Sequence, residues 1–375
     1  MAKKRGNQEG SIYQKANGKW RAQIMLNGGR LNITANTRLE AQDWLRTTRN
    51  QIENGLTFKG ANMLFGEYLG DWLASAKPRL TELSWRTYGQ IIRDYINPVL
   101  AKVRLRDLNP SVIQRFYDKK VADGLGLRTV QKTHTIIHAA LNSALKLGLL
   151  GRNPDNATQP PKPMRKEMMY LNTAQVKRLL ETARKTGDRN YALCYVAIST
   201  GMREGELLGL RWDDVNLDQG ILNVRLSLRR LPSGGLSLQQ PKTKTSVRSI
   251  KLGSQTVEIL QLQKIKNAMD AEKVGKLWQD LGFVFPSTVG TPMDPTNLIK
   301  AFRKLLRLAE LPPIRFHDLR HTAASLMLNN GVDVLVASRR LGHAKPSITL
   351  DVYGHLLPSM QVHAADVLES LLSEK

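Results

Sequence analysis

Residues 152–163, Arg-Asn-Pro-Asp-Asn-Ala-Thr-Gln-Pro-Pro-Lys-Pro, carry prolines at 154, 160, 161 and 163. Proline lacks a backbone N–H and pushes the residue before it into extended geometry, so no helix or ladder strand can cross this stretch. The chain must therefore fold as separate bodies on either side of a stiff, basic spacer. Its 375 residues are in any case too many for one ordinary domain.

The segments around the spacer carry different periodicities. Residues 10–58 hold three short alternating runs, Gly10–Tyr13, Gly18–Leu26 and Gly29–Thr34, parted by Asn-Gly and Gly-Gly turns. Thr37 is placed to cap a helix through Glu40, Ala41, Trp44 and Leu45 that stops near Asn54-Gly55. A three-stranded sheet packed on one helix is expected, with Trp20 and Trp44 as its small core. Residues 63–152 repeat apolar pairs at helical spacing: Leu64-Phe65, Tyr68-Leu69, Trp72-Leu73, then Tyr88, Ile91-Ile92 and Tyr95-Ile96. Pro98 is expected to end the second of these helices, Asn109-Pro110 to start a third, and Leu127-Arg-Thr129 to precede a fourth that ends near Gly148. Beyond the spacer, helices are predicted over 254–270, 294–309, 317–329 and 333–341. One strand pair is predicted there, Gly220–Leu226 with Ser246–Leu252. The fold class expected is mainly α with small β elements. The boundaries are 1–60, 61–155, a linker at 156–168, and 169–375.

Charge narrows the partners. Lys and Arg number 56 against 32 Asp and Glu, a net +24, which favours a polyanion whose condensed counterions are released on binding. The excess runs along the whole chain and is densest in residues 1–60, with 11 basic and 4 acidic groups. The single cysteine, Cys194, lies in the apolar run Tyr191–Ile198 and is read as a buried helix residue. It excludes an internal disulfide framework and a cysteine-rich zinc site. No run approaches the ~18 apolar residues of a membrane span, and the first residues lack the apolar core of a secretory signal.

Four clusters carry candidate chemistry. In Thr200-Gly-Met-Arg-Glu-Gly-Glu206 a glycine lets the chain turn, which sets Arg203 at a helix start with Glu206 on the same face. Pro241-Lys-Thr-Lys-Thr-Ser-Val-Arg248 is a basic turn entering a strand. His317-Asp-Leu-Arg-His321 puts an imidazole and a guanidinium, His317 and Arg320, where both can donate to one anion. Arg340-Leu-Gly-His343 is followed ten residues later by Tyr353. Taken singly, each also fits an ordinary ion pair, solvated hairpin, helix cap or core tyrosine.

In this order and spacing the clusters resemble the tyrosine recombinase (phage integrase) family: an Arg in a Gly-x-Arg-x-x-Glu turn, a Lys on a hairpin, His-x-x-Arg, Gly-His, then Tyr. The resemblance covers the C-terminal 200 or so residues strongly. Residues 61–155 resemble the family's helical core-site binding domain in length and pattern. Residues 10–58 resemble the small arm-site binding domain of integrases from lysogenic phages and conjugative transposons.

The resemblance implies transesterification at phosphorus, with no nucleotide or metal cofactor. Tyr353 would be the nucleophile, and Arg203 and Arg320 would grip the non-bridging oxygens. His317 and His343 would be further donors or a proton relay. Lys242 would protonate the leaving 5′-oxygen, with Lys244 left open as the alternative, and Glu206 would orient Arg203 or His317 from behind. The implied partners are double-stranded DNA at core-type and arm-type sites, further copies in a tetramer on DNA, an excisionase, a DNA-bending host factor, and no membrane. The implied location is the cytoplasm of a bacterial host, at the nucleoid. DNA-contact candidates are Lys19, Arg21 and Arg30 on or beside the first strands. In the helical segment they are Arg86, Arg93, Arg128 and Lys132, chosen for polar faces near helix starts. A chromosome-dimer resolvase of the same chemistry, a type IB topoisomerase, or a non-catalytic DNA-binding regulator are the alternatives. The leucines at 368, 371 and 372 suit a tail packing on a neighbouring copy or on its own domain.

Overall fold

A computed structural model describes residues 10–26, 29–53, 62–163, 168–231, 234–240 and 247–353, together with 365–366, 368–370 and 372–373. The chain divides into two compact units, Met1–Arg165 and Lys166–Lys375. The division falls two residues after the proline-rich stretch.

The first unit begins with an antiparallel sheet, β1 (Ser11–Gln14), β2 (Trp20–Leu26) and β3 (Gly29–Ala35), in the order β1-β2-β3. Strand alternation sends Ala22, Ile24, Leu31 and Ala35 inward, leaving Met25 and Arg30 on the solvent face. Helix α1 (Arg38–Glu53) covers the inner face. It opens on a reciprocal cap in which Glu40 N–H donates to Thr37 Oγ1 at 3.2 Å and Asn36 N–H donates back to the Glu40 carboxylate at 3.1 Å. Trp20 and Trp44 pack on the core of Ala22, Ala35 and Ala41, as expected.

The helical part has its own core. Helices α2 (Phe65–Ala76), α3 (Glu82–Ile91), α4 (Asn97–Leu100), α5 (Pro110–Ala122) and α6 (Leu127–Lys146) bury Phe65, Leu69, Ile91, Ile113, Tyr117, Ile136 and Leu141. The expectation that Pro98 ends its helix is corrected. The chain continues helically to Leu100 because residues Ile92–Ile96 widen into a π turn, in which Asn97 N–H reaches back to Ile92 O. One extra residue in the turn accommodates the ring, and Pro98 becomes an early residue of the next helical segment. Asn109 caps α5, its side chain accepting from Val112 N–H at 3.0 Å. Helix α6 starts at Leu127, so the three residues expected to precede it form its first turn. After it, a 3-10 turn at Pro154–Ala157 carries a buried Asp155, and Gln159 is tied by two hydrogen bonds to Gln114.

The second unit builds one larger core. Helices α7 (Thr173–Lys185), α8 (Tyr191–Thr200), α9 (Glu204–Leu208), α10 (Ser254–Val274), α11 (Pro295–Leu308), α12 (Asp318–Asn329), α13 (Val334–Leu341) and α14 (Pro346–Tyr353) supply most of it. Leu179, Val196, Leu208, Phe302 and Leu319 are among its buried members. Cys194 is buried within it, and burial pushes its thiol well above the ordinary range. The predicted strand pair is present: β5 (Ile221–Val224) pairs antiparallel with β8 (Arg248–Lys251), with Leu222 opposite Ile250. Strand β4 (Val215–Asn216) joins its other edge. Between them lies a second hairpin that the sequence reading did not anticipate, β6 (Ser227–Arg230) with β7 (Leu236–Gln239).

Candidate active site

Two sharp turns frame the site. Helix α8 ends at Gly201, whose φ of +67° makes a left-handed cap, and α13 ends at Gly342 with φ +71°. A Cβ on Gly201 would stand 2.5 Å from Leu341 Cδ2, and one on Gly342 would stand 2.8 Å from Arg248 Nη1. Both positions therefore demand glycine for conformation and for room. The closeness of the two turns is what lets distant segments share one pocket.

Arg320, on the first turn of α12 and 4% exposed, ties the turns together. Its Nη1 donates to Gly201 O at 2.9 Å and to Leu341 O at 2.6 Å. Arg203 stands just ahead of α9 and is about a third exposed. Its Nη1 donates to Glu206 Oε1 at 2.7 Å, and its Nη2 donates to Gly342 O at 3.1 Å. The backbone N–H of Arg203 donates to Glu206 Oε2 at 3.0 Å, so Glu206 fixes both the backbone and the side chain of Arg203. The i,i+3 pairing read from the sequence is thus present, with Glu206 buried beneath.

Glu206 has a second cation that the sequence reading assigned no role. Arg248, at the start of β8 and buried, donates from Nη2 to Glu206 Oε2 at 2.9 Å and from Nε to Arg340 O at 2.7 Å. Burial alone would raise the Glu206 carboxyl. The Arg248 hydrogen bond and charge, then Arg203, outweigh it and hold the carboxyl below the usual range. Arg340 in turn donates to Ser199 O at 2.8 Å and Lys251 O at 3.1 Å. A local spacing rule could find Glu206 from Arg203. Arg248 lies 42 residues beyond Glu206, and its only visible signal was a buried-type alternation at the head of a strand.

His343 follows Gly342, and its Nδ1 lies 2.7 Å from Thr349 Oγ1 on α14. Burial, then the charges of Arg320, Arg203 and Arg248, push His343 down to about 4. His317 caps α12 in position only, with no hydrogen bond from its side chain to the helix, and its ring sits edge-on to His321 at 5.4 Å. Burial, then His321 and Arg320, push it down to about 4 as well. His321, quoted in the motif without a role, is shifted downward chiefly by burial. Both predicted imidazoles are neutral near pH 7, each with one N–H to donate and one lone pair to accept.

The structure thus brings together Arg203, Glu206, His317, Arg320 and His343. Lys242 and Lys244 lie outside the described residues. Tyr353 ends α14, one helical turn beyond Thr349, and its side chain lies outside them too. Two guanidiniums and two neutral imidazoles in one neighbourhood are donors that can bind a tetrahedral oxyanion from several directions at once. A cavity of about 710 Å³ opens nearby, lined by Phe302, Leu306, Ile314 and Phe316, with His317 the one site residue among those lining it. Its walls are mostly apolar.

The DNA-contact candidates are spread over the first unit. Arg30, on the open sheet face, and Lys19, in the β1–β2 turn, are exposed, and Arg21 is half-buried. Arg86 is paired with Glu82 at 2.7 Å and Arg93 with Asp94 at 2.9 Å, while Arg128 and Lys132 lie exposed on the first turns of α6. In the tail, Leu368 and Leu372 are exposed, and Leu371 lies outside the described residues. Among the described residues no helix is long and apolar enough to cross a membrane.

Residues 169–360 match the phage integrase family, and residues 64–121 match the N-terminal SAM-like domain of phage integrases. A "tyrosine recombinase XerC-like" protein of Caldanaerobacter subterraneus subsp. tengcongensis is 28% identical over 358 residues, 89% of this chain and 90% of its own length. The ICEBs1 integrase of Bacillus subtilis is 26% identical over 351 residues, covering 92% and 93%. Among solved structures, the Tn1549 transposon integrase in complex with transposon right end DNA superposes with a TM-score of 0.70 at 20% identity, over 83% of this chain and 100% of that one. The match at residues 169–360 spans the Arg203 turn, the β8 strand, the His317–His321 motif and Tyr353, and the chain belongs to the phage integrase (tyrosine recombinase) family.

Proposed function

We propose that this chain is a site-specific integrase that cuts and rejoins DNA through a 3′-phosphotyrosyl link to Tyr353, integrating and excising a mobile element or prophage. The observation that carries the reading is that Arg203, Arg320 and His343, from three separate segments, meet at the Gly201 and Gly342 turns, with His317 one helical turn before Arg320. The Gly342–His343 turn leads directly into the helix that ends at Tyr353.

The Tyr353 phenolic oxygen attacks the phosphorus of one backbone phosphodiester. The bond from phosphorus to the 5′-oxygen breaks, and the departing oxygen takes a proton from Lys242 (or Lys244). The phosphotyrosyl ester conserves the energy of the bond, and the 5′-hydroxyl of a partner strand reverses the step. Phosphoryl transfer is catalysed mainly by positioning and charge. Arg203 and Arg320 would hold the non-bridging oxygens, and Arg203 keeps its aim because Glu206 and Gly342 O already occupy its other donors. A phenol with an ordinary value of ~10 needs both these charges and a proton acceptor, which neutral His317 or His343 can provide.

Strand exchange between two duplexes has four cleavage points and calls for four tyrosines, hence a tetramer assembled on DNA. Residues 61–155 would hold the core site and residues 1–60 an arm site, with 169–375 doing the chemistry and 156–168 as linker. Lys19, Arg21, Arg30, Arg86, Arg93, Arg128 and Lys132 would contact phosphate. An excisionase and a DNA-bending host factor would set direction, at the nucleoid of a bacterial host. The first unit's separate sheet-and-helix module favours an integrase over a chromosome-dimer resolvase. The test is a nicked suicide duplex bearing a core sequence that the protein itself selects from a random pool, incubated without added metal. A covalent adduct on the 3′ end that survives detergent supports the reading, and tight binding without any adduct refutes it in favour of a non-catalytic regulator.

A further inference from the structure

Among the described residues, a group of metal-binding side chains apart from the Arg203 site lies in the helical part of the first unit. His134 and His138 stand one turn apart on α6 and share a face. Asp155 reaches the same place from the 3-10 turn at Pro154–Ala157, with its side chain wholly buried. Its Oδ2 lies 3.0 Å from His134 Nδ1 and 3.3 Å from His138 Nδ1, and one donor atom from each of the three residues lies within 4.8 Å of the others.

Hydrogen bonding accounts for only half of this carboxylate. Oδ1 accepts from Tyr117 Oη at 3.0 Å and from Thr158 Oγ1 at 2.8 Å. Oδ2 and His138 Nδ1 are both closed off from water, and neither makes a hydrogen bond of acceptable direction despite their closeness. A buried carboxylate oxygen in that position is costly unless a cation meets it.

We propose that His134, His138 and Asp155 bind one divalent transition-metal ion of the zinc class, which pins the start of the proline-rich segment to the helical body. Zinc arms of roughly 2.0–2.2 Å to nitrogen and oxygen place tetrahedral neighbours about 3.3–3.5 Å apart, close to the 3.0 and 3.3 Å between Asp155 Oδ2 and the two Nδ1 atoms. Two imidazoles with one carboxylate suit zinc and its neighbours better than calcium or magnesium. The two histidines are 23% and 37% exposed, so an ion can enter and a water can complete the set. The supporting contacts are in place: Asp155 N–H donates to Asn153 Oδ1 at 2.9 Å, and Asn153 Nδ2 donates to Asn142 Oδ1 at 2.8 Å. Tyr117 Oη donates to Asp155 Oδ1, which leaves Oδ2 for the ion. The same hydroxyl is also 3.3 Å from His134 Nδ1, and the ion would displace whatever proton the two share there.

Tag-free full-length protein, stripped with a chelator and dialysed against Zn²⁺, should retain one more zinc per chain than the His134→Ala/His138→Ala variant. Asp155→Asn, which keeps the volume, should weaken binding by ~10-fold or more. Co²⁺ in place of zinc should give the visible absorption of tetrahedral cobalt, and the ion should slow trypsin cleavage after Arg152. A His317→Asn control should bind as wild type, which excludes His317 as the source. Should the double variant fail to fold, His138→Gln, altered at a side chain more than a third exposed, replaces it with folding checked by circular dichroism. Equal zinc content in wild type and variants, or none in any, overturns the proposal in favour of a metal-free His–Asp contact. The site plays no part in strand cleavage, so the two proposals fail independently.

Discussion

Arg248→Met removes one of the two cations that neutralise a buried carboxylate. In the wild type Glu206 is 3% exposed and lies between Arg203 at 2.7 Å and Arg248 at 2.9 Å. Breaking a buried ion pair by deleting one partner typically costs about 3–5 kcal/mol, because the other charge stays behind. Arg203 remains here, so the lower end applies, ~3 kcal/mol. For a unit of this size each kcal/mol moves the melting temperature by roughly 2–4 °C, which predicts a fall of about 6–12 °C. Glu206→Gln should cost a similar amount by stranding Arg248. The double variant removes both charges, and its loss should be smaller than the sum by ~2 kcal/mol, within the range usual for residues in contact. Urea unfolding of the four proteins measures this cycle. Cleavage should also slow, by up to roughly 10²-fold if Arg203 shifts by an ångström, with DNA affinity kept because Arg248 is buried. Arg248→Lys should not restore it, since an ammonium cannot serve Glu206 and Arg340 O in the two directions the guanidinium does. Additivity within ~0.5 kcal/mol, or a single-variant loss below ~1 kcal/mol, would refute the reasoning.

Arg203→Ala should slow cleavage by roughly 10²–10³ with DNA binding retained, measured by single-turnover adduct formation and gel shift. His317 and His343 are both depressed to about 4. A histidine held below its free value of ~6.5 stabilises the fold fully above that value and loses the contribution as pH falls toward 4. The melting temperature should therefore drop between pH 6.5 and 4, and less so in His317→Asn/His343→Asn. Removing residues 1–58 should weaken binding to a long site carrying arm sequences far more than to a minimal core site, by fluorescence anisotropy on both DNAs. Equal loss on the two would count against an arm-binding role.

Much of this was legible before any fold was known, because each site residue sits beside a local signal. Gly201 and Gly342 announce turns, and the spacings Arg203–Glu206 and His317–Arg320 follow helix geometry. Thr37 and Asn109 announced their helices in the same way. What stayed hidden depends on contacts between distant segments. Arg248 reads as one more charge in a basic turn until β8 pairs with β5 and brings it under Glu206. The β6–β7 hairpin was masked because four-residue, half-exposed strands have too little alternation to stand out from a Gly- and Lys-rich stretch. Pro98 misled because a π turn is a tertiary accommodation that propensity does not encode. His134 and His138 are four residues apart on one helix face, but their carboxylate partner lies in the segment read as spacer.

The most direct measurement is to digest the covalent complex formed on a suicide duplex and locate the oligonucleotide remnant by mass spectrometry. The remnant should sit on the peptide containing Tyr353, as a tyrosine ester, and Tyr353→Phe should yield none. A remnant on any other residue, or an adduct that persists in the phenylalanine variant, contradicts the assignment of Tyr353 as the group that the Arg203–Arg320 pocket serves.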